Sequence, residues 1–132
     1  MILVDTSVWL DFLAGRENIY VSTLEKLVAD DDICLCGVIL TEILQGIRSE
    51  KEYATTKKYF QQLTILPHTI ETFVAAADIY RNLRKKGLTV RKPIDCMIAA
   101  VAIEHATPLL QNDRDFIGIS KHCGLELVPL RA

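Results

Sequence analysis

A chain of 132 residues, half of them hydrophobic and 24% charged, holds enough apolar material for one packed core and too much for a disordered segment. Its net charge of −2 argues against a uniformly basic nucleic-acid binder. No stretch approaches the roughly 20 apolar residues of a membrane span, and the short apolar start has no basic leader, so we expect a single-domain, soluble, cytoplasmic protein without a membrane partner.

Ile2-Leu3-Val4 is a short apolar run that stops at Asp5 and reads as a buried parallel strand. Ligands of open α/β sheets bind outside the carboxyl ends of the strands. Asp5 therefore stands at a candidate site, although aspartate is also a common helix cap. Thr6 and Ser7 can cap a helix over 8–13 that Gly15 ends, and Ser22 can open a second helix over 23–29. Asp30-Asp31-Asp32 reads as a solvated turn before a second strand, Ile33 to Cys36. A helix over 38–47 follows, with Ile39, Leu40, Ile43, Leu44 and Ile47 as its buried stripe and Glu42 beside that stripe.

Ser49-Glu50-Lys51-Glu52 has the pattern of a capping box and starts a helix to about Leu63. Thr64-Ile65-Leu66 is a weak third strand. Thr69 caps a long helix over 70–86, closed by Gly87. Pro93 suits the first position of the next helix, which places Asp95 in its first turn and leaves the rest apolar on nearly all sides. Leu109-Leu110-Gln111 reads as the fourth strand, Asn112 to Phe116 as a turn at its carboxyl end, and Leu125 to Val128 as a last strand at the edge. Alternating strands and helices predict a four- or five-stranded, mainly parallel sheet with helices on both faces, a three-layer α/β/α fold. Cys34, Cys36, Cys96 and Cys123 include no C-x-x-C pair and read as small hydrophobes.

Carboxylates recur near the predicted strand ends and helix starts: Asp5, Glu42, Asp95 and Asp113, with Asp115 two residues further on. These four account for four negative charges, so the rest of the chain is mildly basic. Carboxylates gathered at one sheet edge repel one another, and a hard divalent cation with oxygen ligands relieves that conflict. Such a site suits phosphodiester hydrolysis. Caps and solvated surface acids would give the same scatter.

The stretches Ile2-Leu3-Val4-Asp5-Thr6-Ser7, Thr41-Glu42, Asp95-Cys96-Met97-Ile98-Ala99-Ala100 and Leu109 to Phe116 together resemble a PIN domain, and more narrowly the VapC toxins of bacterial and archaeal toxin–antitoxin pairs. The resemblance runs in order over the whole chain. It implies a Mg²⁺-dependent endoribonuclease, with Mn²⁺ as an alternative ion. It also implies inhibition by a cognate VapB-like antitoxin, and a homodimer. Asp5, Glu42, Asp95 and Asp113 are then the catalytic acids, and Asp5, Asp95 and Asp113 the metal ligands. Family members often carry threonine where this chain has Gln111, and their last acidic position varies, so Asp115 is the alternative fourth acid. Thr6 and Asn112 become supporting groups of the site.

Other readings differ in what they require. A haloacid-dehalogenase-like phosphatase needs a second acid two residues after the first, where this chain has Ser7. A serine hydrolase needs a G-x-S-x-G turn, which is missing. A catalytically silent PIN-fold RNA-binding module is the main alternative, and divalent-dependent cleavage distinguishes it from a nuclease. The cations Arg84, Lys85, Lys86, Arg91 and Lys92 either hold RNA phosphates or complement a helix end. The helices over 38–63, with Tyr53, Tyr59 and Phe60, are expected to form the groove an antitoxin segment fills.

Overall fold

The computed structural model describes residues 1–130. Four strands, β1 (Ile2–Val4), β2 (Ile33–Cys36), β3 (Thr64–Leu66) and β4 (Leu109–Leu110), form one parallel sheet in the order β3-β2-β1-β4. Seven helices flank it: α1 (Thr6–Leu13), α2 (Ile19–Ala29), α3 (Gly37–Gly46), α4 (Glu50–Phe60), α5 (Ile70–Lys85), α6 (Pro93–Glu104) and α7 (Asp115–Cys123). Every residue of β2 is buried, as are Leu3 and Val4 of β1, which is why these strands read as continuous apolar runs rather than alternating ones. Register pairs Leu3 with Cys34 and Val4 with Leu110. The carboxyl ends of β1 and β4 therefore lie side by side, and the Asp5 N–H donates to the Leu110 carbonyl at 2.9 Å.

The predicted alternation holds, and the departures have local causes. Asp5 itself caps α1, because its side chain accepts the Ser7 N–H, so the helix begins at Thr6 rather than Val8. Helix α2 begins at Ile19, not Thr23: Asn18 accepts the Val21 N–H at 2.9 Å and so outcompetes Ser22, whose hydroxyl bonds back to the Asn18 carbonyl. The Ser49 hydroxyl caps α4 by accepting the Glu52 N–H, and the helix ends at Phe60, before Leu63. Residues Leu125 to Val128 make a single parallel bridge, Leu127 to Leu109, instead of a fifth strand. A two-residue β4 offers too little edge for more.

Helix α7 was not anticipated. Gly118 and Ser120 weaken its propensity, yet Phe116 and Ile119, three apart on one face, are completely buried and pull it onto the core. Gly124 ends it at φ 77°, a left-handed conformation natural to glycine. Helix α6 is enclosed as expected, with Cys96 and Ile98 to Ala102 all in the core. All four cysteines are free, and Cys34, Cys36 and Cys96 are core residues. No helix among the described residues is long and apolar enough to cross a membrane.

Candidate metal centre

Three elements bring acids to the carboxyl edge of β1 and β4. Asp5 follows β1, Asp95 lies in the first turn of α6 behind Pro93, Asp113 lies in the loop that runs from β4 into α7, and Asp115 is the first residue of α7. Among the described residues, the carboxylates that share a neighbourhood of 4.8 Å are Asp95, Asp113 and Asp115. Asp5 stands beside this group: its charge contributes to the environment of Asp95, and the Glu42 charge acts on Asp5 in turn. Glu42 is on α3, where the Thr6 hydroxyl donates to its Oε1 at 2.8 Å.

Asp5 and Asp95 are each only 4% exposed. Burial lifts the Asp95 carboxyl to about 7; Lys92 opposes the rise, and Asp5, Asp113 and Asp115 add to it. Burial also raises Asp5, against the lowering effect of its bonds from the Ser7 hydroxyl (2.6 Å) and the Ser7 N–H (3.0 Å). Asp113 moves the other way. Burial pushes it up, but the Asp115 N–H, Lys92 and Arg91 outweigh that and hold it below the usual carboxylate range.

The cations divide into two groups. Lys92 Nζ lies 3.2 Å from Asp113 Oδ2, and the exposed Arg91 donates to Asp115 Oδ2 at 3.1 Å. Arg84 lies over the Tyr80 ring at the far end of α5, with Lys85 and Lys86 following it, and does not join this cluster. Two contributors escaped the sequence reading. Ser7 links the Asp5 carboxylate to the Asn112 N–H (3.0 Å), and Asp11 accepts the Asn112 side chain (3.1 Å). The available signal for both was their spacing of four on α1, one helical face, together with a lone acid in an apolar helix.

The donor set fits a hard divalent cation. Asp95 Oδ2 is buried without a hydrogen-bond partner, which is costly unless something charged or polar is held there. Its neighbours are carboxylate oxygens, with no thiol or imidazole among them.

The PIN domain family model matches residues 2–121. The chain is 34% identical over 135 residues to ribonuclease VapC11 of Mycobacterium tuberculosis, covering 99% of this chain and all of that one. It is 27% identical to ribonuclease VapC1 of Methanocaldococcus jannaschii, over 96% of this chain and 85% of that one. In fold it is similar to a chain in the crystal structure of VapBC2 from Rickettsia felis bound to a DNA fragment from their promoter, with a TM-score of 0.75, 20% identity, and coverage of 97% and 98% of the two chains. On the match across its length and on the strength of the Mycobacterium relative, the chain belongs to the PIN domain family.

Proposed function

We propose that this protein is a divalent-metal-dependent endoribonuclease, the toxin of a VapBC-type toxin–antitoxin pair. The observation that carries the reading is the unpartnered, buried Asp95 Oδ2 within the all-oxygen cluster of Asp95, Asp113 and Asp115. The names of the full-length relatives, each a VapC ribonuclease, point the same way.

Asp95, Asp113 and Asp115 would hold Mg²⁺ or Mn²⁺, with Asp5 completing the acidic wall. When bound, such an ion supplies the Lewis acidity that activates water and steadies a departing phosphodiester oxygen. The protein's own groups do the rest. Ser7 fixes Asp5 through Oδ2. Thr6 fixes Glu42 through one oxygen, which orients the other to accept a proton from an attacking water. Arg91 and Lys92, already drawn to this edge by Asp113 and Asp115, are the cations placed to meet the substrate's phosphates. Asp5 and Asp95 are themselves buried, which strengthens the electrostatic interactions made at those two carboxylates.

The antitoxin reading gains a surface, with two corrections to the expected groove. A cleft of about 600 Å³ is walled by Trp9 and Phe12 of α1, Val28 of α2, and Thr55 and Tyr59 of α4. Helix α3 contributes nothing to its lining. Tyr59 and Phe60 line it, Phe60 as a core residue edge-on to Trp9 with ring centres 5.0 Å apart, whereas Tyr53 does not. An amphipathic helix of a VapB-like partner fits such an aromatic trough. The exposed apolar face of α5, with Ile70 71% exposed beside Phe73 and Val74, is suited to a second copy in a homodimer.

The test is cleavage of a looped RNA by purified protein with Mg²⁺ or Mn²⁺ and with EDTA, alongside Asp5→Asn, Asp113→Asn and Asp115→Asn. Cleavage is expected only with the ion, and is expected to fall by at least about a hundredfold in Asp5→Asn. The two loop variants rank Asp113 against Asp115 as ligands. RNA that is bound but never cut would favour the silent binding module instead.

A further inference from the structure

Of the three buried carboxylates among the described residues, Asp5 and Asp95 belong to the acidic site and Asp11 does not. Asp11 is 8% exposed, on α1, with every bond it makes accounted for. Its Oδ1 accepts from Arg16 Nη1 at 2.9 Å, and its Oδ2 accepts from Asn18 Nδ2 at 3.2 Å and from Asn112 Nδ2 at 3.1 Å. The first two partners are local and join α1 to the start of α2. The third crosses 101 residues of sequence to the loop after β4.

That loop is gripped twice by α1. The Asn112 N–H donates to Ser7 Oγ at 3.0 Å, one helical turn before Asp11 and on the same face. Ser7 Oγ in turn donates to Asp5 Oδ2. On the other side of Asn112, Gln111 Oε1 accepts the Asp113 N–H, and Asp113 Oδ1 accepts the Asp115 N–H at 3.0 Å. One set of hydrogen bonds thus runs from Asp11 through Asn112 and Ser7 to Asp5, and a second, joined to it through the backbone at Asn112, runs from Gln111 to Asp113 and Asp115.

The loop needs such a grip. Strand β4 is two residues long and supplies little backbone pairing. Asp95, Asp113 and Asp115 are crowded within 4.8 Å; the exposed Arg91 and Lys92 pair with Asp115 and Asp113, while the charges of those two acids still bear on Asp95. We propose that Asp11 is a positioning residue of the acidic site: by holding the Asn112 carboxamide it docks the loop of Asp113 and Asp115 onto α1, in register with Asp5. This rests on the metal-site reading above, and its test has an arm that needs no metal.

The experiment measures Mn²⁺ affinity by calorimetry, and amide hydrogen exchange in EDTA, for the full chain and five variants. In Asp11→Ala the acceptor for Asn112 is gone. Mn²⁺ binding is expected to weaken roughly tenfold, as is typical when a group that orients a ligand is removed. Exchange at the Asn112, Asp113 and Asp115 amides is expected to accelerate by about tenfold more than at Leu3 and Val4 in the core. Asp11→Asn keeps one oxygen for Asn112 and should restore most of both. Arg16→Ala removes only the local ion pair and should change neither. In an Asn112→Ala background, Asp11→Ala should add no further loss of Mn²⁺ affinity, because the group it acts through is absent. Equal acceleration at loop and core amides, or an additive loss in the double variant, would overturn the proposal and leave Asp11 a purely structural residue. If the parent binds no Mn²⁺, the metal reading fails by itself, and the exchange arm still decides whether Asp11 holds the loop.

Discussion

Asp95 is where burial and charge conflict most. Its carboxyl is raised to about 7 in the folded chain, against 3.8 ordinarily, so between those values the folded protein keeps a proton that the unfolded chain releases. Its contribution to stability is therefore present at low pH and is lost as pH climbs through that window to about 7. In EDTA, Asp95→Asn should melt within about a degree of the parent at pH 3 and several degrees above it at pH 8, a difference on the order of 1 kcal/mol or more. Melting curves at the two pH values check this, and an Asn variant that melts lower than the parent at pH 8 contradicts it. The sequence made Asp5 and Asp95 legible because each follows an abrupt change, from an apolar strand or from a helix-starting proline. Ser7 and Asp11 were less legible, since their partner Asn112 lies more than a hundred residues away and no local pattern brings them together.

At the scale of elements, the site depends on how α6 and α7 begin. The approach to α6 delivers Arg91 and Lys92 to Asp113 and Asp115, whereas Arg84 to Lys86 are left at the end of α5. Lys92→Ala should weaken RNA binding measured in EDTA by up to about tenfold and lower the slope of log affinity against log salt by about one, as expected for one lost phosphate contact. Lys86→Ala should leave both nearly unchanged; fluorescence titrations across a salt series compare the two, and equal effects would refute the division. Helices α3, α5 and α6 could be read because each has a clear cap, stripe or enclosing apolar run. Helix α7 could not, because Gly118 and Ser120 interrupt it and the burial of Phe116 and Ile119 that sustains it is a tertiary effect. The residues from Leu125 onward showed a strand's composition, but pairing requires an edge, and β4 provides one residue of it.

At the scale of the molecule, the acidic edge and the aromatic cleft are separate surfaces on one α/β/α body, the first built from β1, β4 and α6, the second from α1, α2 and α4. Helix α1 is common to both, with Ser7 bonded to Asp5, Asp11 bonded to Asn112 beside the site, and Trp9 and Phe12 on the cleft. If the proposed VapB-like partner docks in the cleft, Tyr59→Asp should abolish co-purification with it on co-expression while leaving RNA cleavage by the free protein intact; co-purification at parental yield would exclude the cleft as its docking surface. The parallel direction of the strands was readable from alternating strands and helices, whereas their order in the sheet was not. The position of the cleft was not, because it depends on which helices pack across from α4 rather than on the residues of α4 itself.

On the proposed mechanism, RNA cleavage is performed at this acidic edge and requires an ion held there. This mechanism is tested most directly by stripping the protein with EDTA, removing the chelator, and titrating Mn²⁺ back while binding and RNA cleavage are followed in the same samples, for the parent and for Asp95→Asn. Cleavage is expected to be absent at the start, to rise in step with Mn²⁺ occupancy in the parent, and to stay near baseline in Asp95→Asn across the same range. Cleavage by the stripped protein, or an Asp95→Asn curve that overlays the parent's, would contradict it.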